Sequence, residues 1–294
     1  MFPGDGFHSF DPPVYALVIH NAELYLAGEF IGCMDRATYY VARWNGRRWA
    51  QVGAWLDAPA YALALFDDFD DSNAPGAVTL YAGTMTGIYK LPADPNDTWP
   101  LIAGTDAPVR ALAVFDGALY AGGEFTEIGG ESAKYIARWS GTAWEAVGGG
   151  VERDPNDPPA KVLALTVFAD GGGEALFAGG TFTYAGTYPT GVSAKRVARW
   201  RGNAWSALGD GIDDPNNVQV DAPAGWPAMQ RLYVGGTFGR AGGDEARRIA
   251  AAHCDPNDPD DPNAWTWSAV GPGLRGRSTL DAGLGGVSPW FCRA

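Results

Sequence analysis

One recurring position of the sequence combines chemically useful residue types with a regular spacing. Glu29, Glu124, Thr181 and Thr237 each directly follow an Ala-Gly or Gly-Gly pair. Carboxylates and hydroxyls at equivalent positions of a repeat can donate or accept hydrogen bonds to one shared ligand. As the acid and base of a glycosidase, Glu29 and Glu124 would need a separation of about 5 to 10 Å. Two interpretations follow: a ligand-binding surface, or a carbohydrate-active enzyme that uses these or loop carboxylates.

An acidic loop is the strongest candidate for a metal site. Asp67, Asp68, Asp70 and Asp71 lie within five residues of one another. Calcium binds clustered carboxylate and carbonyl oxygens, although this loop lacks the glycine-bent spacing of an EF-hand. The sequence therefore predicts calcium as a possible ligand and no other cofactor.

A lengthened loop is the best candidate for a specificity element. The segment from Thr183 to Lys195 contains four extra residues, 187–190, and carries Tyr184 and Tyr188. Loops on a rigid scaffold often hold recognition residues. We expect the two tyrosines to contact a ligand, and the alternative is an exposed insertion without a function.

These candidates are positioned by an internal repeat of about fifty residues. Three segments are nearly the same, AGEF…VARWNGRRW, GGEF…IARWSGTAW and GGTF…VARWRGNAW, and each ends in a Trp-x-x-x-x-Trp pair. A repeat of this length is typical of propellers and other arrays. The third repeat predicts a hairpin, with a strand from Val109 to Phe115, a turn at Asp116-Gly117 and a second strand from Leu119 to Phe125. Two more strands would complete a four-stranded blade.

We therefore predict an all-β protein, a β-propeller of four-stranded antiparallel blades. The predicted repeats are 14–58, 60–104, 109–151, 162–212 and 218–273. They would form one domain over 1–274, followed by a tail over 275–294 that does not match the repeat. Five blades are favoured, with six blades or part of a larger array as alternatives, because residues 2–7 resemble the end of a fourth strand.

The paired tryptophans have two possible roles. Buried between adjacent blades, each would stabilise the packing by a few kcal/mol. Exposed, they would form one aromatic sugar platform per blade. Packing is the favoured interpretation for the pairs Trp44/Trp49, Trp139/Trp144 and Trp200/Trp205.

The glycine doublet followed by a tryptophan-bearing hairpin resembles the kelch-like propellers of the galactose-oxidase central-domain superfamily. The repeats are also similar to secreted bacterial propeller repeats of the form LYAGGTF…IARWDGTAW. The resemblance covers roughly Val14 to Gly273 and implies a propeller at or outside the cell surface, but it implies no particular ligand. A copper oxidase of that superfamily needs several His and Tyr ligands, and this chain has only His8, His20 and His253.

Composition excludes several classes of partner. A net charge of −13 argues against nucleic acid and anionic membranes as partners, because both require a cationic face.

We find no apolar run long enough to span a membrane and no signal-peptide pattern in the chain as given. Three cysteines allow at most one disulfide. We expect a non-catalytic binding or structural module for a glycan or protein, with self-association possible.

Overall fold

The computed structural model of the chain is built from β-strands. It describes residues 13–33, 36–67, 78–94, 96–213, 218–255, 257–258, 261 and 264–271. The one 3-10 turn that lies wholly within them is Pro227–Met229. The all-β prediction is confirmed, whereas the proposed strand at 2–7 and the tail at 275–294 lie outside the described residues.

Most of the described strands form five four-stranded antiparallel sheets, and each sheet falls within one repeat range. Sheet 1 comprises Val14–His20, Glu23–Gly28, Val41–Trp44 and Trp49–Gln51. Sheet 2 comprises Ala60–Phe66, Thr79–Thr84, Gly87–Lys90 and Leu101–Gly104. Sheet 3 comprises Val109–Phe115, Ala118–Gly123, Ile136–Trp139 and Trp144–Ala146. Sheet 4 comprises Val162–Ala169, Glu174–Gly180, Val197–Arg201 and Ala204–Ala207. Sheet 5 comprises Val220–Trp226, Arg231–Gly236, Ile249–Cys254 and Trp265–Ala269.

Short strands decorate the loops between the second and third strands of the sheets. Three two-stranded ladders pair Gly32–Cys33 with Arg36–Ala37, Glu127–Ile128 with Glu131–Ser132, and Arg240–Ala241 with Asp244–Glu245. In the fourth repeat Tyr184–Ala185 pairs with both Val192–Ser193 and Val151–Glu152. The lengthened loop is therefore anchored to the end of the preceding repeat.

The hairpin between the first two strands of sheet 3 has the predicted turn. Asp116 and Gly117 both have positive φ, 49° and 68°. This is the conformation that a type I′ turn requires, and it matches the twist of the flanking strands.

From sheet 2 onward, consecutive sheets pack face to face through a close approach of valine to glycine. A Cβ added at Gly83, Gly122 or Gly179 would come within 2.8, 2.5 or 2.7 Å of the valine that starts the next sheet. Those valines are Val109, Val162 and Val220. Only glycine leaves room for this contact, so the second strand of one sheet can lie directly against the first strand of the next.

Tryptophans in or just before the fourth strands strengthen these junctions. The indole N–H groups of Trp99, Trp205 and Trp267 donate to backbone carbonyl oxygens of the preceding repeat, at Val52 (2.9 Å), Val147 (3.1 Å) and Leu208 (2.7 Å). Trp144, Trp200 and Trp205 are buried, and Trp44, Trp49 and Trp139 are partly buried. The packing interpretation of the tryptophans is therefore supported. Four-stranded sheets stacked in chain order are what a propeller requires, while the closed ring and its blade count stay predictions.

Candidate binding site

A β-bulge at the start of every first strand sets up the site. In each of the five sheets the register skips one residue of the first strand, and the skipped residues are Tyr15, Tyr61, Arg110, Leu163 and Asp221. A bulged residue is left out of the hydrogen-bonded ladder and its side chain is redirected. The sheets therefore present a varied set of side chains at one strand end.

The residue after the glycine doublet is drawn to the same end of its sheet. The backbone N–H groups of Glu29, Glu124, Thr181 and Thr237 donate to the carbonyl oxygens of the residues that precede the first strand or its bulge. These acceptors are Pro13 (3.1 Å), Pro108 (2.9 Å), Lys161 (3.0 Å) and Gln219 (3.1 Å). Four of the predicted site residues thus occupy equivalent places beside the bulges.

Across the first three sheets the bulged residues touch one another. The Tyr15 hydroxyl donates to Oε1 of Glu29 at 2.7 Å. The rings of Tyr15 and Tyr61 are tilted at 56° with centroids 5.2 Å apart. The guanidinium carbon of Arg110 lies 4.3 Å from the centroid of the Tyr61 ring, within the range of a cation–π contact.

Glu124 is held by two cations. Arg110 reaches its Oε1 through Nε at 2.9 Å and through Nη2 at 2.7 Å, and Nζ of Lys161 lies 2.7 Å from its Oε2. The row then runs from sheet 1 to the edge of sheet 4. We name it the binding row, and it consists of Tyr15, Glu29, Tyr61, Arg110, Glu124 and Lys161.

These contacts shift the pKa values of Glu124 and Tyr15. Burial alone would raise the pKa of Glu124, but hydrogen bonds from Lys161 and Arg110 outweigh it and hold the pKa below its usual range. Burial, followed by the hydrogen bond to Glu29, raises the pKa of Tyr15 to about 12. At neutral pH Glu124 is therefore a carboxylate and Tyr15 a neutral hydroxyl, so Glu124 is unsuited to be a general acid.

The two glutamates share one surface, but the row separates them. The contacts that connect Glu29 with Glu124 pass through Tyr15, Tyr61 and Arg110. Each carboxylate has its own hydrogen-bonding partner. This arrangement supports the binding interpretation of the pair more than the catalytic one.

Thr181 adjoins the row through its backbone N–H, which donates to the Lys161 carbonyl oxygen, whereas Thr237 lies one sheet further along. Thr181 is only 7% exposed, so a ligand at the surface would reach little of it. Thr237 is exposed, and its Oγ1 accepts the N–H of Gln219 at 3.3 Å. The Gln219 side-chain amide in turn donates to Asp221 at 2.6 Å. Burial raises the pKa of Asp221, and the Gln219 hydrogen bond opposes that shift.

The tyrosines of the lengthened loop form a separate cluster. Tyr184 and Tyr188 pack edge to face with ring centroids 4.9 Å apart. The N–H of Tyr188 donates to Glu152 Oε2 at 2.6 Å, and its hydroxyl donates to Asp154 Oδ2 at 3.1 Å. Glu152 and Asp154 also line a surface cleft of about 590 Å³. The insertion is therefore an ordered loop beside a cleft.

A larger cavity, of about 980 Å³, lies at the opposite ends of the first strands. Of its described lining residues, Glu23 alone is a carboxylate, and it is ion-paired with Arg43 at 3.1 Å. The cavity therefore contains no pair of carboxylates among the residues that the structure describes.

The acidic loop predicted to bind calcium lies mostly outside the described residues. Asp67 is described, whereas Asp68, Asp70 and Asp71 lie outside the described residues. Within the described ranges, no three His, Cys, Asp or Glu side chains are grouped as a metal site would require. Calcium binding at this loop stays a prediction.

The sequence analysis missed four members of the row: Tyr15, Tyr61, Arg110 and Lys161. A signal for three of them was present, because the second residue of the first strand varies between nearly constant neighbours. The sequence contains VYAL, AYAL, VRAL, VLAL and VDAP at this place. Variation inside an otherwise repeated strand marks positions that the fold itself does not constrain.

Comparisons with known proteins bear on the fold. No protein-family model matches the chain, and no curated protein is significantly similar to it. Among solved structures, the extracellular domain of the one-component system BT4673 from B. thetaiotaomicron has a TM-score of 0.51 and 15% identity, over 82% of this chain and 26% of that one. A structure of the extracellular domain of the hybrid two-component system BT4673 has a TM-score of 0.48 and 12% identity, over 86% and 31% of the two chains.

The designed protein Ika8 is a more distant neighbour, with a TM-score of 0.39 and 13% identity over 85% of this chain and 71% of that one. The chain spans about a quarter of the length of the first neighbour. No helix in the described part of the chain is long and apolar enough to cross a membrane. The likeness to the first neighbour supports a shared all-β fold of repeated antiparallel sheets.

Proposed function

We propose that the chain is a non-catalytic recognition module, a kelch-like β-propeller of five blades that binds a glycan outside the cell. The observation that carries the proposal is the binding row. Its aromatic and charged side chains stand on bulges across consecutive sheets and are already held by one another. Such preorganisation lowers the entropy cost of binding.

The chemistry of the row suits a sugar. Sugars present C–H faces that pack on aromatic rings and hydroxyl edges that need both donors and acceptors. Tyr15 and Tyr61 supply the rings, while Arg110 and Lys161 supply donors beside the acceptor Glu124. A protein ligand is the alternative, since Tyr and Arg are also enriched at the centres of protein interfaces.

The extracellular location rests on two observations. The repeat resembles that of secreted bacterial propellers, and the neighbour with a TM-score of 0.51 is an extracellular domain of a one-component system. The non-catalytic role rests on the arrangement of the two glutamates, because the contacts that connect Glu29 with Glu124 pass through three intervening side chains. Ordered Tyr184 and Tyr188 would give the ligand a second contact, with Thr237 as a peripheral one.

The test is a glycan array probed with the full chain and with Tyr61→Ala. We expect binding to a subset of glycans and at least a tenfold weaker affinity for the variant. Tyr39→Ala, which removes a tyrosine outside the row, serves as the control and should bind like the wild type. Turnover of any bound glycan would overturn the non-catalytic role, and binding that survives Tyr61→Ala would exclude the row. If the chain binds proteins and no glycan, the ligand is a protein.

A further inference from the structure

A cleft of about 590 Å³ lies between the third and fourth repeats. Its first wall is the loop between the second and third strands of sheet 3, residues 126–135, and its second wall is the segment 152–160 that leads into sheet 4. Both walls belong to the continuously described range 96–213. The volume falls within the range of small-molecule sites, about 300–1,000 Å³. The cleft is therefore large enough to hold part of a ligand.

The backbone connects this cleft to the binding row at two points. Ala160, which lines the cleft, directly precedes Lys161 of the row. On the other wall, Thr126 follows Glu124 by two residues, so their Cα atoms are at most about 7 Å apart. Glu124 and Lys161 are themselves in contact at 2.7 Å. The cleft therefore continues the row, and the Glu124–Lys161 pair lies at the boundary between them.

Hydrogen bonds hold both walls in place. Asp106 accepts the N–H groups of Thr126 and Glu127 at 2.8 and 2.9 Å, and the hydroxyl of Thr126 at 2.6 Å. On the second wall, Asp154 accepts the hydroxyl of Tyr188, so the lengthened loop supports this wall. The second wall also contains three prolines, whose φ angles are fixed: Pro155, Pro158 and Pro159. Such preorganisation lowers the entropy cost of binding.

The lining combines apolar surface with hydrogen-bonding groups, as sites for small ligands do. The partly buried ring of Tyr135 and the exposed prolines can pack against the C–H face of a sugar ring. The hydroxyl of Ser132 can donate or accept a hydrogen bond, and the carboxylates accept hydrogen bonds from sugar hydroxyls. The lining therefore suits a sugar unit.

The charges of the cleft disfavour acidic sugars. Four carboxylates line it: Glu127, Glu152, Asp154 and Asp157. The two cations of the lining, Lys134 and Arg153, are ion-paired with carboxylates of the cleft itself. Lys134 pairs with Glu152, and Arg153 pairs with Asp157 at 3.5 Å. An acidic unit would meet an excess of negative charge, and like charges brought together at a site weaken binding.

We propose that the cleft is a second subsite for the glycan, and that an uncharged sugar chain runs from the binding row past Glu124 and Lys161 into the cleft. The cleft has this role only if the row binds a glycan, so the inference rests on the proposed function. The ligand class is then a neutral oligosaccharide that is longer than the row alone can contact. Chains of uronic acids bind more weakly.

The experiment measures affinity as a function of sugar length, with the full chain and isothermal titration calorimetry. The probes are gluco-, manno- and xylo-oligosaccharides from the monosaccharide to the hexasaccharide, together with oligogalacturonates of the same lengths. In at least one neutral series, we expect the affinity to rise about tenfold or more at the length that reaches the cleft. The galacturonate of that length should bind more weakly than the neutral chain.

A pair of variants on one short strand tests the cleft directly. Ser132 is exposed and lines the cleft, so Ser132→Trp blocks it without disturbing a buried contact. This variant should lose the gain with chain length and bind short sugars like the wild type. Glu131→Trp, at the neighbouring exposed residue outside the lining, is the control and should keep the gain. If Ser132→Trp does not fold, Tyr135→Asn replaces it, because asparagine tolerates the positive φ of 67° at this position.

The row and the cleft fail in different ways. Tyr61→Ala should weaken binding at every length, whereas Ser132→Trp should remove only the gain with length. An affinity that does not depend on length, or a gain that survives Ser132→Trp, would overturn the subsite and leave the row in place. Tighter binding of galacturonates than of neutral chains would overturn the ligand class. If the wild type binds no sugar, the proposed function and the subsite are both wrong.

Discussion

Glu124 shows how neighbouring cations restrict the chemistry of a single side chain. A carboxylate with one cationic neighbour can still exchange protons near neutral pH if burial opposes ionisation. Arg110 and Lys161 both contact Glu124, and their hydrogen bonds outweigh the effect of burial. The group therefore acts as a fixed negative charge that orients its neighbours.

The depressed pKa of Glu124 predicts a pH-dependent contribution to stability. Because the folded pKa lies below the unfolded one, the contribution is fully present above the unfolded value of about 4.3 and is lost as pH falls through the folded value. We expect Glu124→Gln to lower the free energy of unfolding by about 1 kcal/mol at pH 7, a small value because Lys161 is partly exposed and water screens the pair.

Urea denaturation at pH 7 and at pH 2.5 measures this difference. The wild type and Glu124→Gln should differ at pH 7 and converge in acid. Glu131→Gln, on an exposed loop strand, controls for the general effect of removing a negative charge. An equal difference at both pH values would contradict the assigned role of Glu124.

The repeated sheet is the element that the sequence predicted best. The strands, the turn at Asp116-Gly117 and the buried tryptophans follow from alternation, turn chemistry and residue size, which are local properties. The bulge was not predicted, because a one-residue register shift depends on pairing with a second strand. Tyr61, Arg110 and Lys161 come together only through packing between sheets, so their contacts could not be deduced from spacing along the chain.

Glycine at the junctions makes a matched pair of predictions at the scale of the element. Gly179→Ala places a Cβ 2.7 Å from Val220, so we expect a loss of about 1–3 kcal/mol in unfolding free energy from overpacking. Among the described residues, Gly235→Ala has nothing nearer than 3.9 Å, and this variant should leave the unfolding free energy unchanged or slightly raised. Chemical denaturation of both variants at micromolar concentration is the measurement. Equal losses would show that backbone preference dominates over the junction.

At the scale of the whole molecule, the five sheets form a chain of nearest-neighbour contacts. Stability in such arrays is the sum of unit and junction terms, so a sheet with less buried surface contributes less to it. The first strand of sheet 3 is largely buried, whereas the first strands of sheets 1 and 5 are largely exposed.

Hydrogen exchange should reveal this gradient in the dilute chain. We expect amides of Val14–His20 and Val220–Trp226 to exchange at least tenfold faster than those of Val109–Phe115, as followed by mass spectrometry of peptides. Uniform protection in the dilute chain would show that both ends are already covered.

The bulge at the start of each first strand also separates the residues that maintain the sheet from the residues that can be substituted without loss of strand pairing. Ladder residues on both sides of Tyr15, Tyr61, Arg110, Leu163 and Asp221 maintain the sheet, while these five side chains carry none of its pairing. A new ligand preference therefore requires substitutions only at positions that do not take part in strand pairing. The paired strands form a constant scaffold, and the bulged residues form a variable surface on it. We expect a library randomised at these five codons to keep the fold while it samples new specificities.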